Sequence, residues 1–197
     1  MFISFEGLDG CGKTTQAAML ADALELEGRE VVRVREPGGT PTGERIRELL
    51  LDPLATIGPA AEALLYAAAR AQLVSEVIAP ALGRGSVVVA DRFIDSSLAY
   101  QGVARGLGLE RILAVNQFAT GGVMPDRTLL LRIPADEAER RRGATPDRIE
   151  AEGARFHEDV AKGFEQAAVR FPERIRVIDA SGPPRAVLAR VREVVGI

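Results

Sequence analysis

Five short apolar runs along the chain predict buried β-strands, at residues 2–5, 30–35, 86–91, 127–133 and 175–178. The runs are continuously apolar and do not alternate with polar residues, which is typical of strands covered on both faces. Helical patterns lie between them, and this alternation indicates a parallel sheet with helices on both sides. The predicted fold class is α/β.

Apolar residues at helical spacing predict helices at residues 13–27, 44–51, 59–80, 95–102 and 110–121, another ending near 168, and a last one at 184–195. Residues 36–43 are too rich in proline and glycine for regular structure, so they predict a loop. Residues 136–148 interrupt the apolar pattern with a run of arginines. We expect them to form a mobile surface segment.

The stretch after the first strand, residues 7–14, matches the phosphate-binding pattern G-x-x-x-x-G-K-[ST]. Its glycines allow backbone N–H groups to approach phosphate oxygens, and the following helix adds the positive end of its dipole. Lys13 is expected to reach the β- and γ-phosphates, and Thr14 to ligate Mg²⁺. A glycine-rich turn with a chance Lys-Thr would require neither the strand before nor the helix after. The predicted nucleotide-binding residues are Gly7, Leu8, Asp9, Gly10, Cys11, Gly12, Lys13, Thr14 and Thr15.

Asp91 ends the third predicted strand and Arg92 follows it, at the edge where a parallel sheet presents residues to ligands. The aspartate is a candidate for holding Mg²⁺ or its waters; the alternative is a helix cap. The arginine suits a bidentate phosphate contact. The chain lacks the Asn-Lys-x-Asp segment with which a GTPase reads the base. It also lacks the acid that an ATPase motor usually carries after the aspartate, here Asp91. The pattern therefore favours a small-molecule kinase.

Composition narrows the class of protein further. A net charge of −3 over 197 residues argues against general binding to nucleic acids or membrane surfaces. The single cysteine, Cys11, excludes an intrachain disulfide and fits a reducing compartment. No apolar run suggests a membrane span, and the N-terminus enters the fold without a signal peptide. We therefore expect a cytoplasmic protein.

Five segments together resemble the bacterial thymidylate kinases: FEGLDGCGKTT (5–15), REPGGTPTGERIR (35–47), LLYAAAR (64–70), DRFIDSSLAYQG (91–102) and DRIE (147–150). The resemblance covers the whole length and implies one P-loop NTPase domain, residues 1–197, with a five-stranded parallel sheet and an Arg-rich lid at 136–148. It also implies transfer of phosphate from ATP to dTMP with Mg²⁺, and a homodimer.

The resemblance assigns roles to a set of acceptor residues: Asp9, Glu36, Arg47, Tyr66, Arg70, Arg92, Ser97, Tyr100 and Gln101. Asp9 is similar to the acid that contacts the 3′-hydroxyl, and Glu36 and Arg47 to the pair that lines the acceptor phosphate and metal region. Tyr66 would stack on thymine, Arg70 and the Ser97–Gln101 pair would hydrogen-bond its edges, and Tyr100 would disfavour a ribose. Each of several residues also has a purely structural alternative. Asp9 could be a variable loop position, and Glu36 and Arg47 could form surface ion pairs. Tyr66 could be a core aromatic residue, and Ser97 could make a structural hydrogen bond.

The phosphate loop has no basic residue between Gly7 and Gly12, so the resemblance implies that the lid supplies a catalytic arginine. The candidates are Arg140, Arg141, Arg142 and Arg148, of which Arg142 and Arg148 are preferred. Each could instead belong to a solvated helix face. No general base is needed, because the acceptor is an ionised phosphate, and the lone His157 is expected to be structural.

The sequence departs from the common family pattern at Phe93, Tyr66 and Ala69. None of these changes touches the residues for phosphate or metal chemistry, so we expect them to affect substrate affinity and not the reaction. Two other functions remain open at this point. One is a kinase for another nucleoside monophosphate, and the other is a nucleotide-binding sensor without turnover.

Overall fold

The computed structural model describes residues 1–141 and 147–197. Its strands are β1 (Phe2–Glu6), β2 (Val31–Arg35), β3 (Val87–Asp91), β4 (Arg127–Arg132) and β5 (Ile175–Asp179). They form one five-stranded sheet in the order β2-β3-β1-β4-β5, with every neighbouring pair parallel. Because β1 is the central strand, the loop that follows it enters the middle of the carboxyl edge of the sheet.

Helices cover both faces, as the uninterrupted apolar runs predict. They are α1 (Lys13–Leu26), α2 (Pro41–Leu51), α3 (Pro59–Leu73), α4 (Ala79–Gly83), α5 (Ile94–Ser97), α6 (Leu109–Thr120), α7 (Ala135–Arg140), α8 (Ala154–Arg170) and α9 (Pro184–Val195). Strand β3 shows the two-sided burial: Val87 and Val89 pack into a core with α1 and α9, whereas Val88 packs into a second core with α3, α6 and α8. Such burial on both faces explains why the strand has no polar alternation.

Within the described residues, two π-helical stretches interrupt the α-helical pattern. Val74–Ile78 joins α3 to α4, and Leu98–Ala104 continues α5. In the second stretch the N–H of Arg105 donates to the carbonyl of Tyr100 at 2.8 Å. Helix α8 approaches this stretch closely, since a Cβ on Gly163 would lie 2.6 Å from Cα of Ala99. The predicted helix at 95–102 is thus present, but most of it has the wider π geometry.

Two segments near the carboxyl edge of the sheet differ from the sequence-based expectation. Helix α2 begins at Pro41 inside the predicted loop, because Thr40 caps it: its Oγ1 accepts the N–H of Gly43 at 3.0 Å. Within the predicted lid, α7 is regular helix and buries Ala138. Over the described ranges, no helix is both long and apolar enough to cross a bilayer.

Candidate active site at the carboxyl edge of the sheet

Three loops meet at the carboxyl edge of the sheet because their strands are in register. Asp91, at the end of β3, pairs with Phe5 of β1 on one side and with Arg35 of β2 on the other. The phosphate loop, the loop at residues 36–40 and Arg92 therefore lie side by side, although they are far apart in the chain. This is the edge at which open α/β sheets bind ligands.

The phosphate loop needs glycine for both conformation and space. Gly7 has a φ of 136°, and a Cβ there would lie 2.5 Å from the carbonyl oxygen of Leu131. Gly12, with a φ of 96°, leads directly into α1. The first-turn N–H groups of α1 have no carbonyl partners within the helix, so they point at the loop interior and favour an anion there.

Lys13 lies folded across the loop. Its Nζ donates to the carbonyl of Leu8 at 2.8 Å and lies 3.6 Å from Oδ1 of Asp9. The side chain is buried, so these contacts hold the ammonium group within the loop. A phosphate between the loop amides would meet this charge.

Thr14 and Asp91 are joined directly: the Thr14 hydroxyl donates to Oδ2 of Asp91. A hydroxyl and a carboxylate oxygen in contact suit Mg²⁺, which prefers oxygen ligands and takes the remainder from water and phosphate. Across the described part of the chain, no group of three or more His, Cys, Asp or Glu side chains converges in a manner suited to a metal.

A cavity of about 280 Å³ opens beside these groups. All of the acceptor residues expected from the resemblance line it: Asp9, Glu36, Arg47, Tyr66, Arg70, Arg92, Ser97, Tyr100 and Gln101. Thr14 and Asp91 line the same cavity, so the predicted metal and acceptor sites are contiguous. Its volume is close to the lower end for small-ligand sites.

Arg92 lies at the centre of a charged cluster. Its Nη2 pairs with Oδ1 of Asp9, and its guanidinium lies 5.3 Å from the ring centroid of Tyr100. The Tyr100 hydroxyl donates to Oδ2 of Asp9 at 3.2 Å. Burial alone would raise the pKa of Asp9, but the charges of Arg92 and Lys13 lower it well below its usual range. Asp9 is therefore ionised and holds Arg92 at the cavity wall.

Arg70 is bonded to several protein groups at the cavity wall. Its Nε donates to Oε2 of Glu36 at 2.8 Å, and its Nη1 donates to Oγ of Ser97 at 3.0 Å. Nη1 also donates to Oδ1 of Asn116 on α6, a residue that sequence reasoning did not select. Glu36 is thus paired with Arg70 and not with Arg47, whose Nη1 donates to the carbonyl of Pro37 at 2.8 Å.

Gln101 lines the cavity and is also bonded to a buried carboxylate, that of Glu62. Its Nε2 donates to Oε1 of Glu62 at 2.9 Å. Arg148 binds the same group, with Nη2 2.8 Å from Oε2 of Glu62, while its Nε donates to the carbonyl of Leu50 at 2.7 Å. Arg148, a preferred catalytic residue, is therefore engaged outside the cavity lining in this structure.

The other lid arginines are placed only in part. Arg142 lies outside the described residues. Arg141 pairs with Glu137, one turn earlier in the chain. Helix α7 packs on the phosphate loop so closely that a Cβ on Gly10 would collide with the carbonyl of Ala138.

His157 is buried on α8, with Nε2 3.3 Å from the carbonyl oxygen of Glu150, which agrees with its expected structural role.

Sequence reasoning missed several residues at this site. The cavity is also lined by Arg35, Pro37, Leu51, Ser96, Asp147, Ile149 and Glu150. Glu6 lies just behind it, buried at the end of β1. A carboxylate directly before a phosphate loop is a signal that could have identified Glu6, whereas Leu51 and Ile149 are ordinary apolar positions in the sequence.

Comparisons with known proteins agree with this geometry. A sequence model of the family Thymidylate kinase matches residues 5–191. The thymidylate kinase of Caldanaerobacter subterraneus subsp. tengcongensis is 53% identical over 179 residues, which cover 90% of this chain and 86% of that protein. The thymidylate kinase of Synechococcus sp. (strain JA-3-3Ab) is 53% identical over 197 residues, 99% of this chain and 95% of that protein.

The solved structures give the same result. The crystal structure of thymidylate kinase from Ehrlichia chaffeensis is similar with a TM-score of 0.80 and 34% sequence identity, covering 99% of this chain and 98% of that chain. This likeness confirms the predicted P-loop NTPase fold. With the family match across nearly the whole sequence, it follows that the chain belongs to the thymidylate kinase family.

Proposed function

We propose that this chain transfers the γ-phosphoryl group of ATP to dTMP and forms ADP and dTDP, one step before dTTP. The observation that carries the proposal is a cavity that joins the phosphate loop to Arg92 and to a pocket lined by Tyr66, Ser97 and Gln101. One end suits phosphates, and the other suits a flat base with polar edges. Membership in the thymidylate kinase family supports the same reaction.

At the donor end, the loop amides and the N-terminus of α1 bind the phosphates of ATP. Lys13 exchanges its contact with the Leu8 carbonyl for the β- and γ-phosphates. Thr14 and Asp91 would hold Mg²⁺, which would neutralise negative charge on the phosphates. The hydrogen bond between these two side chains keeps both oxygens at one place.

At the acceptor end, Arg92 binds the phosphate of dTMP and orients it toward the donor. Tyr66 stacks on the base, and Arg70, Ser97 and Gln101 hydrogen-bond its edges. Asp9 and Tyr100 contact the sugar. Glu36 supports this wall by holding Arg70, and Arg47 supplies a further positive charge at the acceptor phosphate.

The chemistry rests on positioning and charge neutralisation, because the attacking phosphate oxygen is already ionised. A lid arginine would stabilise the charge that spreads over the transferring group. Arg142 is our first choice. Arg148 could serve only after it leaves Glu62 and the Leu50 carbonyl, to which it is bonded now.

We further propose a cytoplasmic homodimer, each chain one domain with residues 136–148 as its lid. Two exposed apolar side chains support the dimer: Leu64 on α3 is 60% exposed and Phe118 on α6 is 90% exposed. These helices pack on each other, so a second copy could cover both residues. The single buried cysteine, Cys11, suits a reducing cytoplasm. Light scattering on the purified chain tests the dimer; a monomeric mass would contradict it.

The function is tested by a coupled ADP-release assay with ATP, Mg²⁺ and dTMP, dUMP, dCMP, dGMP, AMP or UMP. A clear preference for dTMP is expected. Turnover with another monophosphate would keep the kinase and contradict the base assignments. No turnover with any of them, from protein that binds ATP, would favour a nucleotide sensor. A Lys13→Ala variant controls for contaminating kinases.

A further inference from the structure

Arg92 has an unusual backbone conformation. Its φ of 70° makes it the one non-glycine residue with positive φ among those that the structure describes. For a residue with a long side chain, this conformation is strained and persists only where the surroundings stabilise it. The contacts around Arg92 show what does so.

The peptide that follows Arg92 is held by a buried carboxylate. Oε1 of Glu6 accepts the N–H of Phe93 at 2.7 Å, and the Glu6 side chain is 0% exposed. Glu6 closes the central strand β1, which is paired with β3 in a fixed register. The carboxylate therefore connects the backbone at Arg92 to the central strand of the sheet.

The same carboxylate reaches the guanidinium of Arg92 through one hydroxyl. Oγ of Ser96 donates to Oε2 of Glu6 at 2.6 Å and accepts from Nη1 of Arg92 at 2.9 Å. Nη1 also donates to the carbonyl of Gly7 at 3.2 Å. Glu6 thus holds both ends of Arg92, the backbone directly and the guanidinium through Ser96.

This arrangement leaves the other edge of the guanidinium for the cavity. Nη2 of Arg92 contacts the carboxylate of Asp9 and the hydroxyl of Tyr100, both of which line the cavity. A guanidinium fixed at Nη1 presents Nη2 in one direction, which reduces the conformational freedom that is lost when an anion binds.

We infer that Glu6 and Ser96 are positioning residues that orient Arg92 toward the acceptor phosphate, an inference that rests on the proposed function. Glu6 is not among the residues that line the cavity, and Ser96, which does line it, fixes Nη1 of Arg92, so both residues act through Arg92. Burying an ionised carboxylate is costly in the free energy of folding. Burial and the nearby Asp95 raise the pKa of Glu6 and the charge of Arg92 opposes the rise, which leaves the pKa at about 7. A neutral side chain would suffice if this position served only to fill space.

The test compares Ser96→Ala and Glu6→Gln with a matched control, Ser4→Ala. Ser4 also lies on β1 and is buried, but its hydroxyl bonds Oγ1 of Thr128 and not Arg92. Initial rates are measured with dTMP varied at saturating ATP and then with ATP varied at saturating dTMP. Stabilisation of each protein by dTMP, measured as a shift in Tm, gives a readout that does not depend on turnover.

We expect Ser96→Ala and Glu6→Gln each to raise the KM for dTMP roughly tenfold. A change of this size corresponds to the loss of one charge-assisted hydrogen bond. The KM for ATP should stay unchanged and the dTMP-induced shift in Tm should shrink. Because both residues act on one guanidinium, the double variant should lose little more than the worse single variant. Ser96→Thr, which keeps the hydroxyl, should restore most of the affinity for dTMP.

Equal losses for dTMP and ATP, or kinetics like those of Ser4→Ala, would overturn the inference. If Glu6→Gln fails to fold, the comparison of Ser96→Ala with Ser96→Thr still decides it. Failure of the proposed function looks different, because the unaltered protein would then show no turnover of dTMP at all.

Discussion

The carboxylate of Glu36 and the guanidinium of Arg70 form a buried ion pair at the wall of the cavity, with Nε of Arg70 2.8 Å from Oε2 of Glu36. Arg70 is 1% exposed and also donates to the carbonyl of Phe93 at 3.1 Å. One side chain of α3 therefore connects the loop after β2 to the segment after β3. The pair holds two walls of the proposed acceptor site in place.

Removing one partner of this pair should be strongly destabilising. Glu36→Ala would leave the Arg70 charge buried without its carboxylate, which typically costs about 3–5 kcal/mol in the free energy of unfolding. Urea denaturation followed by circular dichroism measures the loss. Glu25→Ala is the control, because Glu25 pairs with the half-exposed Arg33 and should cost about 0–1 kcal/mol. Equal losses for the two variants would show that the buried pair is not a structural anchor.

Lys13→Ala should remove most turnover while the fold stays intact. The loss of a preorganised cation at the transferring phosphate is expected to lower kcat by about a hundredfold or more. Lys162 is the chain's other lysine and provides the control, since it is exposed on α8 and pairs with Asp159. Lys162→Ala should keep normal rates. Near-normal kcat in Lys13→Ala would refute the role of this side chain.

Arg92→Ala should weaken the use of dTMP far more than that of ATP. Loss of a guanidinium contact to phosphate is expected to raise the KM for dTMP by roughly ten- to a hundredfold. Steady-state rates with each substrate varied in turn measure the difference. Arg170→Ala, which changes an exposed arginine of α8 paired with Glu110, should leave both constants unchanged. Losses of the same size for both substrates would contradict the acceptor role.

The stability of the protein should depend on the ionisation of Glu6. Burial raises the pKa of Glu6 from 4.5 to about 7, Asp95 adds to the rise and Arg92 opposes it; Arg174 also interacts with this carboxylate. Between these two values the folded protein binds a proton that the unfolded chain has released. The free energy of unfolding should therefore fall as pH rises through this window, by up to about 3 kcal/mol.

Glu6→Gln cannot ionise, so this variant should lack that part of the decline. Urea denaturation at several pH values between 4.5 and 7 compares its slope with that of the unaltered protein and of Ser4→Ala. Ser4→Ala keeps Glu6 and should keep the decline. A Glu6→Gln variant with the original slope would show that another group titrates.

Much of the site could be predicted because its signals are local. The phosphate loop occupies residues 7–14, and its glycines, Lys13 and Thr14 are set by the geometry of one short turn. Asp91 and Arg92 were identifiable because they end an apolar run, and the carboxyl ends of parallel strands bind ligands. The more distant acceptor residues came from the family resemblance, and all of them line the cavity.

The sequence by itself determined the strands, most helices and the phosphate loop, because these depend on apolar runs and on contacts within a few positions. Only the tertiary structure decided which partner each charge has. Glu36 meets Arg70, Arg148 meets Glu62, and Glu6 reaches Arg92 through Ser96, across separations of 34 to 90 residues. Those pairings follow from the strand order and from helix packing, which bring distant side chains together, and no local pattern encodes them. The π geometry at Leu98–Ala104 has the same origin, since it accompanies the close approach of Gly163 on α8.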